Sequence, residues 1–274
     1  MEKRPVTAEE NRQLMLGAMD AIHSYCEANG LRYYLAYGTL LGAVRHKGFI
    51  PWDDDVDIVM PRRDYEKFIR EFRTEPYQVM HPALTPGYYY PFAKVVDSRT
   101  ELWEEKLDAP IPLGTYIDIF PLDGCGDDRQ AAFDLITKKT YPWWRLWVMK
   151  LRDRKKKRAW YQQGAMYVIK GLLKPVSNKR IALARDRIAQ LCGDMDTSRY
   201  CASTVEMVRP EEIVETEVYR DSVLLSFEGR KYRAPARYEE LLRGSYGDYM
   251  TPPPPDQRVP AHHFTVTWKN PTDQ

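Results

Sequence analysis

Hydrophobic positions follow a helical spacing at the start of the chain and then give way to shorter, strand-like runs. Thr7-Ala8-Glu9-Glu10 has the pattern of a capping box and predicts the start of a helix, which Asn29-Gly30 ends. Beyond it the pattern predicts strands at 32–37, 55–60, 90–96 and 115–120, with helices at 39–46 and 64–72. This alternation predicts an α/β (α+β) core built on a mixed sheet.

The second half of the chain has a predominantly helical pattern. The predicted helices are 128–159, 161–173 and 177–193, with interruptions near Pro142 and Pro175. A hairpin is predicted around Glu228-Gly229, followed by a helix from Pro235 to Leu242. We therefore expect a core over residues 1–126, with residues 127–274 packed on it as a helical insert, a hairpin and a C-terminal helix in one compact unit.

Composition narrows the classes of function. The 274 residues include 41 Lys and Arg against 39 Asp and Glu, a net charge of +2 that is too small to argue for nucleic acid, and we expect no nucleic-acid partner. The chain has no apolar run of about 18 residues and no apolar segment behind its charged start, so we expect a cytoplasmic protein. The four cysteines form no C-x-x-C pair, which argues against a zinc cluster.

The most informative stretch is acidic. Four of the five residues from Asp53 to Asp57 are carboxylates, and unpaired charges this close repel one another. In a strand, Asp55 and Asp57 would point to one face while Val56 and Ile58 point into the core. A divalent cation bound to Asp55 and Asp57 would relieve the repulsion, and Mg²⁺ (or Mn²⁺) combines few carboxylates with phosphate oxygens. The pattern therefore predicts a metal site for a nucleotide phosphate.

Residues upstream and downstream extend this prediction. Gly38-Thr39 lies at a predicted strand-to-helix turn, where backbone N–H groups can contact a phosphate. Arg45, further along the same helix, is predicted to reach the same phosphates. Asp118 lies among apolar residues in a predicted strand, where a carboxylate needs a partner, so it is the candidate third metal ligand.

For each of these residues, an interpretation without a metal-binding or catalytic role remains open. A run of Asp is often a solvated turn, and Asp118 could be a buried carboxylate with ordinary partners. An EF-hand is disfavoured, because Ile58 occupies the position of its required Gly. His46 is either a general base or a histidine at the end of a helix. His262-His263 is expected to be exposed in a Pro-flanked tail.

At this stretch the sequence resembles the LicD family of phosphocholine transferases, which includes the fukutin-related proteins. The residues that carry the resemblance are GTLLGAVRH at 38–46, GFIPWD at 48–53 and DVD at 55–57. Weaker similarity lies at 94–97, 117–123 and 246–250, so the resemblance extends from residue 33 to about 255. It implies a nucleotidyltransferase-like fold.

The resemblance also implies a reaction and roles for named residues. It implies transfer of a phospho-alcohol, often phosphocholine, from a CDP-activated donor such as CDP-choline to a hydroxyl of a glycan, with CMP leaving. Asp55, Asp57 and Asp118 would be the catalytic, metal-binding carboxylates, and Arg45 and Lys94 would steady the donor phosphates. Three aromatic residues are candidates to contact the head group or the acceptor, with His46 beside them: Trp52, Tyr88 and Tyr90.

Two other functions use the same residues. One is a nucleotidyltransferase that moves NMP from an NTP to a hydroxyl, and the other is a non-catalytic protein that binds a nucleotide or sugar. The expected acceptor is a glycan of the cell surface, a lipopolysaccharide or a teichoic acid, or a lipid-linked oligosaccharide. The segment 141–158, rich in Trp, Lys and Arg, is consistent either with peripheral contact to anionic lipid at the inner leaflet or with a helical lid on the core.

Overall fold

A computed structural model describes residues 3–104, 107–151, 160–259 and 264–269. Its helices, besides short 3₁₀ turns, are α1 (Ala8–Asn29), α2 (Tyr37–Arg45), α3 (Arg62–Glu71), α4 (Arg129–Leu151), α5 (Trp160–Leu172), α6 (Asn178–Ala189) and α7 (Tyr238–Tyr246). The predicted capping box of α1 is confirmed: Glu10 N–H donates to the Thr7 hydroxyl, and Thr7 N–H donates to the Glu10 carboxylate.

The strands form one mixed sheet and two small ribbons. They are β1 (Tyr34–Leu35), β2 (Asp57–Pro61), β3 (Tyr77–Met80), β4 (Ala93–Asp97), β5 (Thr100–Glu104), β6 (Tyr116–Gly124), β7 (Tyr200–Ala202), β8 (Val214–Glu215), β9 (Ser222–Phe227), β10 (Arg230–Pro235) and β11 (Phe264–Trp268). The main sheet has the order β1-β2-β6-β4-β3, with β7 and β8 added at the end of β6. Among the described strands of this sheet, β2 and β6 are the one parallel pair. The predicted mixed α/β class is confirmed.

The main hydrophobic core lies between α1, α2, α3 and one face of the sheet. Buried residues of the second half of the chain contribute to it as well: Phe227, Tyr232, Ala234, Leu242 and Tyr249. The predicted division at residue 126 stays a prediction, but this shared core is what a single packed unit requires.

Two predicted boundaries beside the acidic stretch are wrong. The helix predicted from Thr39 begins at Tyr37, so Gly38 lies in its first turn and does not precede it. The strand predicted from Asp55 begins at Asp57, because the register with β6 starts at Asp57↔Asp118 and the register with β1 starts at Ile58. The alternation argument therefore applies to Asp57 but not to Asp55.

The helical half differs from its prediction in two respects. Pro142 was expected to interrupt a helix, yet α4 continues through it. Proline removes one intrahelical hydrogen bond, and the packing of α4 against α6 and α5 outweighs that loss. Residues 152–159, the end of the predicted helix 128–159, lie outside the described residues. In this half, no strand is predicted at the positions of β7, β8 and β11. The same is true of β3 and β5 in the first half.

The predicted hairpin is confirmed as β9 and β10, and its turn contacts the segment that precedes the acidic stretch. Its two turn residues, Glu228 and Gly229, both have positive φ, as a tight hairpin turn requires. Glu228 N–H donates to Lys47 O, and the Glu228 carboxylate accepts from Phe49 N–H at 3.0 Å. A Cβ at Gly48 would lie 2.0 Å from that carboxylate, so Gly is needed there. The hairpin thus fixes the chain between α2 and the acidic residues.

Candidate active site

Sheet register places three charged side chains of the predicted site next to one another. Asp57, the first residue of β2, lies opposite Asp118 on the parallel strand β6, and Lys94 on β4 lies opposite Asp118 from the other side. All three are buried, and Lys94 Nζ donates to Asp118 Oδ1 at 2.5 Å. The structure therefore gives Asp118 a lysine partner in addition to its predicted neighbour Asp57.

Negative charge is concentrated around Asp57. Burial raises its pKa well above the usual range, and the charges of Asp55, Asp118 and Asp53 raise it further, in that order. Lys94 opposes this shift but does not cancel it. Carboxylate oxygens of Asp53, Asp54 and Asp55 lie within 4.8 Å of one another. A divalent cation fits the group Asp53, Asp54 and Asp55, because it would offset the repulsion among these carboxylates. Of the predicted ligands Asp55, Asp57 and Asp118, this group contains Asp55.

Helix α2 supports the cluster through two residues of its first turn. The Thr39 hydroxyl is buried and accepts from Asp57 N–H at 2.8 Å, which fixes the start of β2. Gly38 packs against Asp53, and a Cβ there would lie 2.5 Å from Asp53 Oδ2. In this structure both residues position acidic groups, and their predicted contact with a donor phosphate stays a prediction.

The first residue of α2, Tyr37, has a positive φ of 46°, which is rare for a bulky side chain. Strained backbone of this kind is most often found at functional sites. Its ring contacts Phe120 of β6 edge-on, with the centroids 5.5 Å apart. This conformation starts the helix directly beside the acidic cluster.

Aromatic rings surround the ammonium group of Lys94. Its Nζ lies 3.5 Å from the ring centroid of Tyr116, 4.6 Å from that of Tyr90 and 5.4 Å from that of Phe92. The Tyr90 hydroxyl donates to Glu104 at 2.6 Å, while Tyr88 is fully buried beneath it. These faces attract a cation, as predicted for a choline head group, but the cation on them here is Lys94.

A separate cavity of about 530 Å³ has Asp53 of the acidic cluster in its wall. Arg45 and Trp52 line this cavity together with Gly38, and the edge of the His46 ring meets Trp52 at a centroid distance of 6.2 Å. Tyr88 and Tyr90 do not line it. The structure therefore divides the predicted aromatic contacts between two places.

The pKa of His46 is lowered by partial burial and by the charge of Arg45. A neutral imidazole can accept a proton, so its role as a general base stays open alongside that of a helix-end residue.

Several residues of the site were missed from the sequence. Tyr116 precedes Asp118 by two positions in β6 and so shares its face, and Phe92 stands two positions before Lys94, just outside the start of β4. That periodicity could have revealed them. Arg258, whose guanidinium lies 5.3 Å from the Trp52 ring, is more than 200 residues distant along the chain, and no local pattern marks it.

A second buried cation lies near the aromatic rings that surround Lys94. Arg185 of α6 is almost fully buried, and its Nη2 donates to Glu206 at 3.4 Å. Its Nε and Nη1 have no hydrogen-bond partner among the described residues. Its guanidinium faces Trp147 at 6.0 Å, and Trp147 in turn lies 6.0 Å from Tyr90.

The segment rich in Trp, Lys and Arg is described only in part, since residues 152–159 lie outside the described ranges. Trp147 Nε1 donates to Tyr89 O at 2.8 Å, so this tryptophan packs on the core as a lid would. Contact of the segment with lipid stays a prediction. Within the described ranges, no helix has the length and apolar character needed to cross a bilayer. His262 and His263 lie outside the described residues.

Comparisons with known proteins agree with this architecture. Residues 30–176 match the family model described as the nucleotidyltransferase domain of LicD/FKTN/FKRP, so the chain contains a domain of this class. The lipopolysaccharide cholinephosphotransferase LicD of Haemophilus influenzae is 30% identical over 94% of this chain and 97% of its own length. The protein therefore belongs to the LicD family, as the resemblance predicted.

Two further relatives match shorter stretches. The ribitol 5-phosphate transferase FKRP of Homo sapiens is 62% identical over 32 residues, which are 12% of this chain and 6% of the relative. An uncharacterised protein of Rickettsia typhi is 34% identical over 29% of this chain and 26% of its own length.

Proposed function

We propose that this protein transfers a phosphocholine-type phospho-alcohol from a CDP-activated donor to a glycan hydroxyl and releases CMP. The observation that supports this most directly is the meeting of Asp57 and Asp118 on adjacent parallel strands, with Asp53 and Asp55 close by. The near full-length similarity to a lipopolysaccharide cholinephosphotransferase favours choline as the alcohol and a lipopolysaccharide-type glycan as the acceptor.

The acidic residues have distinct positions in this proposal. Asp55, Asp57 and Asp118 would hold Mg²⁺ or Mn²⁺, which when bound neutralises charge on the donor diphosphate. As an alternative to binding the metal, Asp118, whose Oδ1 accepts a hydrogen bond from Lys94, would accept the proton of the attacking hydroxyl. The bond between the transferred phosphorus and the CMP oxygen breaks as the bond to the glycan oxygen forms.

The basic residues orient the donor. Lys94 is fixed between Asp118 and the aromatic rings, so the position of its positive charge is set before the donor binds. Arg45 extends from the other end of α2, where it lines the cavity beside Asp53. Positive groups on both sides of the acidic cluster suit a donor that carries two phosphates.

The test is release of CMP from CDP-choline by the purified protein with Mg²⁺ and a glycan acceptor. We expect Asp57→Asn to lower turnover by at least about a hundredfold, because the group that organises the site loses its charge. Asp134→Asn, in an exposed position on α4, is the matched control and should retain full activity. Mg²⁺ should raise the melting temperature of the wild type and of the control but not of Asp57→Asn.

The products separate the competing functions. Release of pyrophosphate from CTP, without CMP from any CDP-alcohol, would show transfer of NMP instead. Calorimetric binding of CDP-choline with no turnover would show a non-catalytic binding protein. Full turnover by Asp57→Asn would exclude the proposed role of the acidic cluster.

A further inference from the structure

The cavity beside Asp53 is assembled from distant parts of the chain. Its wall consists of Gly38 and Arg45 of α2, Trp52 and Asp53 of the following loop, and residues of the segment 246–259. Its volume of about 530 Å³ is in the range of small-molecule binding sites. Because Asp53 belongs both to this wall and to the acidic cluster, a ligand in the cavity would lie beside the proposed reaction centre.

Two arginines lie at or beside this cavity. Arg45 lines it, and Arg258 lies between the lining residues Gln257 and Val259; the wall also contains the carboxylates of Asp53 and Asp248. Arg45 Nη1 donates to Tyr249 O, and Arg258 Nε donates to Pro253 O, each at 2.8 Å. Both bonds are to backbone carbonyls, so neither bond pairs a guanidinium group with a negative charge. Neither arginine forms an ion pair with any residue in the described parts of the chain. Partial burial lowers the pKa of Arg45, and the charge of Arg258 lowers it further, which shows that the two charges interact.

Trp52 fixes the position of the second arginine. The guanidinium carbon of Arg258 lies 5.3 Å from the Trp52 ring centroid, within the range of a cation–π contact. The run Pro252 to Pro255 stiffens the segment that brings Arg258 back to α2. Two like charges held close together by such contacts destabilise one another unless an anion binds between them.

We propose that Arg45 and Arg258 form a clamp for a phosphate group bound in this cavity, with Trp52 as the positioning residue for Arg258. Guanidinium groups suit this ligand, because their planar N–H pairs match phosphate oxygens and keep their charge at every physiological pH. The inference rests on the proposed function for the source of the phosphate. That source is either the diphosphate of the donor or a phosphate carried by the acceptor glycan.

Calorimetric titration of the full-length protein with three probes in Mg²⁺ buffer tests the clamp: inorganic phosphate, CDP-choline and a hexose 6-phosphate. We expect Arg258→Gln to weaken phosphate binding about tenfold or more, and Arg258→Lys to weaken it less. Arg220→Gln is the matched control, because Arg220 is an exposed arginine paired only with Glu217 at a distant 3₁₀ turn. Equal melting temperatures would show that each variant is folded.

The two sources give different results. If the clamp holds the donor, Arg258→Gln weakens CDP-choline binding and leaves hexose 6-phosphate unchanged; if it holds the acceptor, the reverse is found. In the double variant with Arg45→Gln, the two losses should be strongly non-additive, because both residues contact one ligand. Binding of all three probes within twofold of wild type by Arg258→Gln would overturn the clamp. These affinities do not depend on turnover, so absence of CMP release would count against the proposed function alone.

Discussion

Single residues in this protein act mainly through the surroundings that the fold gives them. Asp57 and Asp134 are the same residue type, yet one is buried among carboxylates and the other is exposed on a helix. The same is true of histidine. His46 lies half-buried beside Arg45, whereas His81 lies in the interior against Tyr65 with a ring distance of 6.0 Å. Burial and neighbouring charges, not residue type, therefore set the pKa values of Asp57, His46 and His81.

We expect His81 to make stability depend on pH. Burial lowers its pKa to about 4, and Ala83 N–H donates to its Nδ1, a bond that the protonated ring cannot accept. The folded pKa lies below the unfolded value of about 6.5, so the unfolded state binds more protons between these values. The stabilisation that comes from keeping His81 neutral is therefore complete above about pH 6.5. As the pH falls from there to 4, the free energy of unfolding decreases by on the order of 3 kcal/mol.

Urea unfolding between pH 4 and 7 measures this effect. His81→Gln should flatten the dependence of the unfolding free energy on pH relative to wild type, while the contribution of the carboxylates stays common to both. Identical slopes in the two proteins would contradict the assignment to His81.

At the scale of elements, α2 and the strand after it act as one unit. The Thr39 hydroxyl joins α2 to the first residue of β2, and Gly38 allows Asp53 to approach the helix. The hairpin β9–β10 holds the intervening loop through Glu228. Three secondary-structure elements therefore converge on a stretch of about twenty residues, and this convergence fixes the carboxylates in place before any ligand binds.

The substitution Gly38→Ala tests whether the position of the Asp53 carboxylate matters for turnover. The new Cβ would lie 2.5 Å from Asp53 Oδ2, so the carboxylate must move, and we expect turnover to fall by about tenfold to a hundredfold. Gly164→Ala in α5 is the matched control, since a Cβ there meets no atom within 4 Å. It should leave turnover unchanged and raise the free energy of unfolding by about 0.5–1 kcal/mol. Equal turnover of the two variants would show that the position of Asp53 is unimportant.

At the scale of the whole molecule, the two ends of the described chain meet on the β5–β11 ribbon. Val6 N–H donates to Val266 O and Trp268 N–H donates to Arg4 O, each at 2.9 Å. Val266 is buried in a cluster with Leu102 and Tyr116, and the Tyr116 ring contacts Lys94. The C-terminal strand thus packs behind an aromatic residue of the candidate site.

The substitution Val266→Ala tests how much the buried side chain of β11 contributes to the stability of the protein. Removing two buried methyl groups should lower the free energy of unfolding by roughly 1–3 kcal/mol. Thr265→Ala, at an exposed position of the same strand, should lower it by less than about 1 kcal/mol. Denaturant titration of both variants gives the comparison, and equal losses would mean that the strand contributes through its backbone and not through its buried side chain.

The sequence by itself determined the mixed α/β class, the capping box, the hairpin and the acidic stretch, because each depends on residues close together in the chain. It also pointed to Asp118, since a carboxylate among apolar strand residues needs a partner wherever the strand lies. It misplaced the starts of α2 and β2, which depend on where the two-residue strand β1 ends.

Only the tertiary structure decided which strands adjoin. Strand order set Asp57 beside Asp118, put Lys94 on the other side of Asp118, and enclosed the lysine in aromatic rings. The tertiary structure also brought Arg258 to the ring of Trp52 across some two hundred residues. No local pattern encodes such contacts, because they are selected by the burial of the whole core and not by the propensities of the segments that meet.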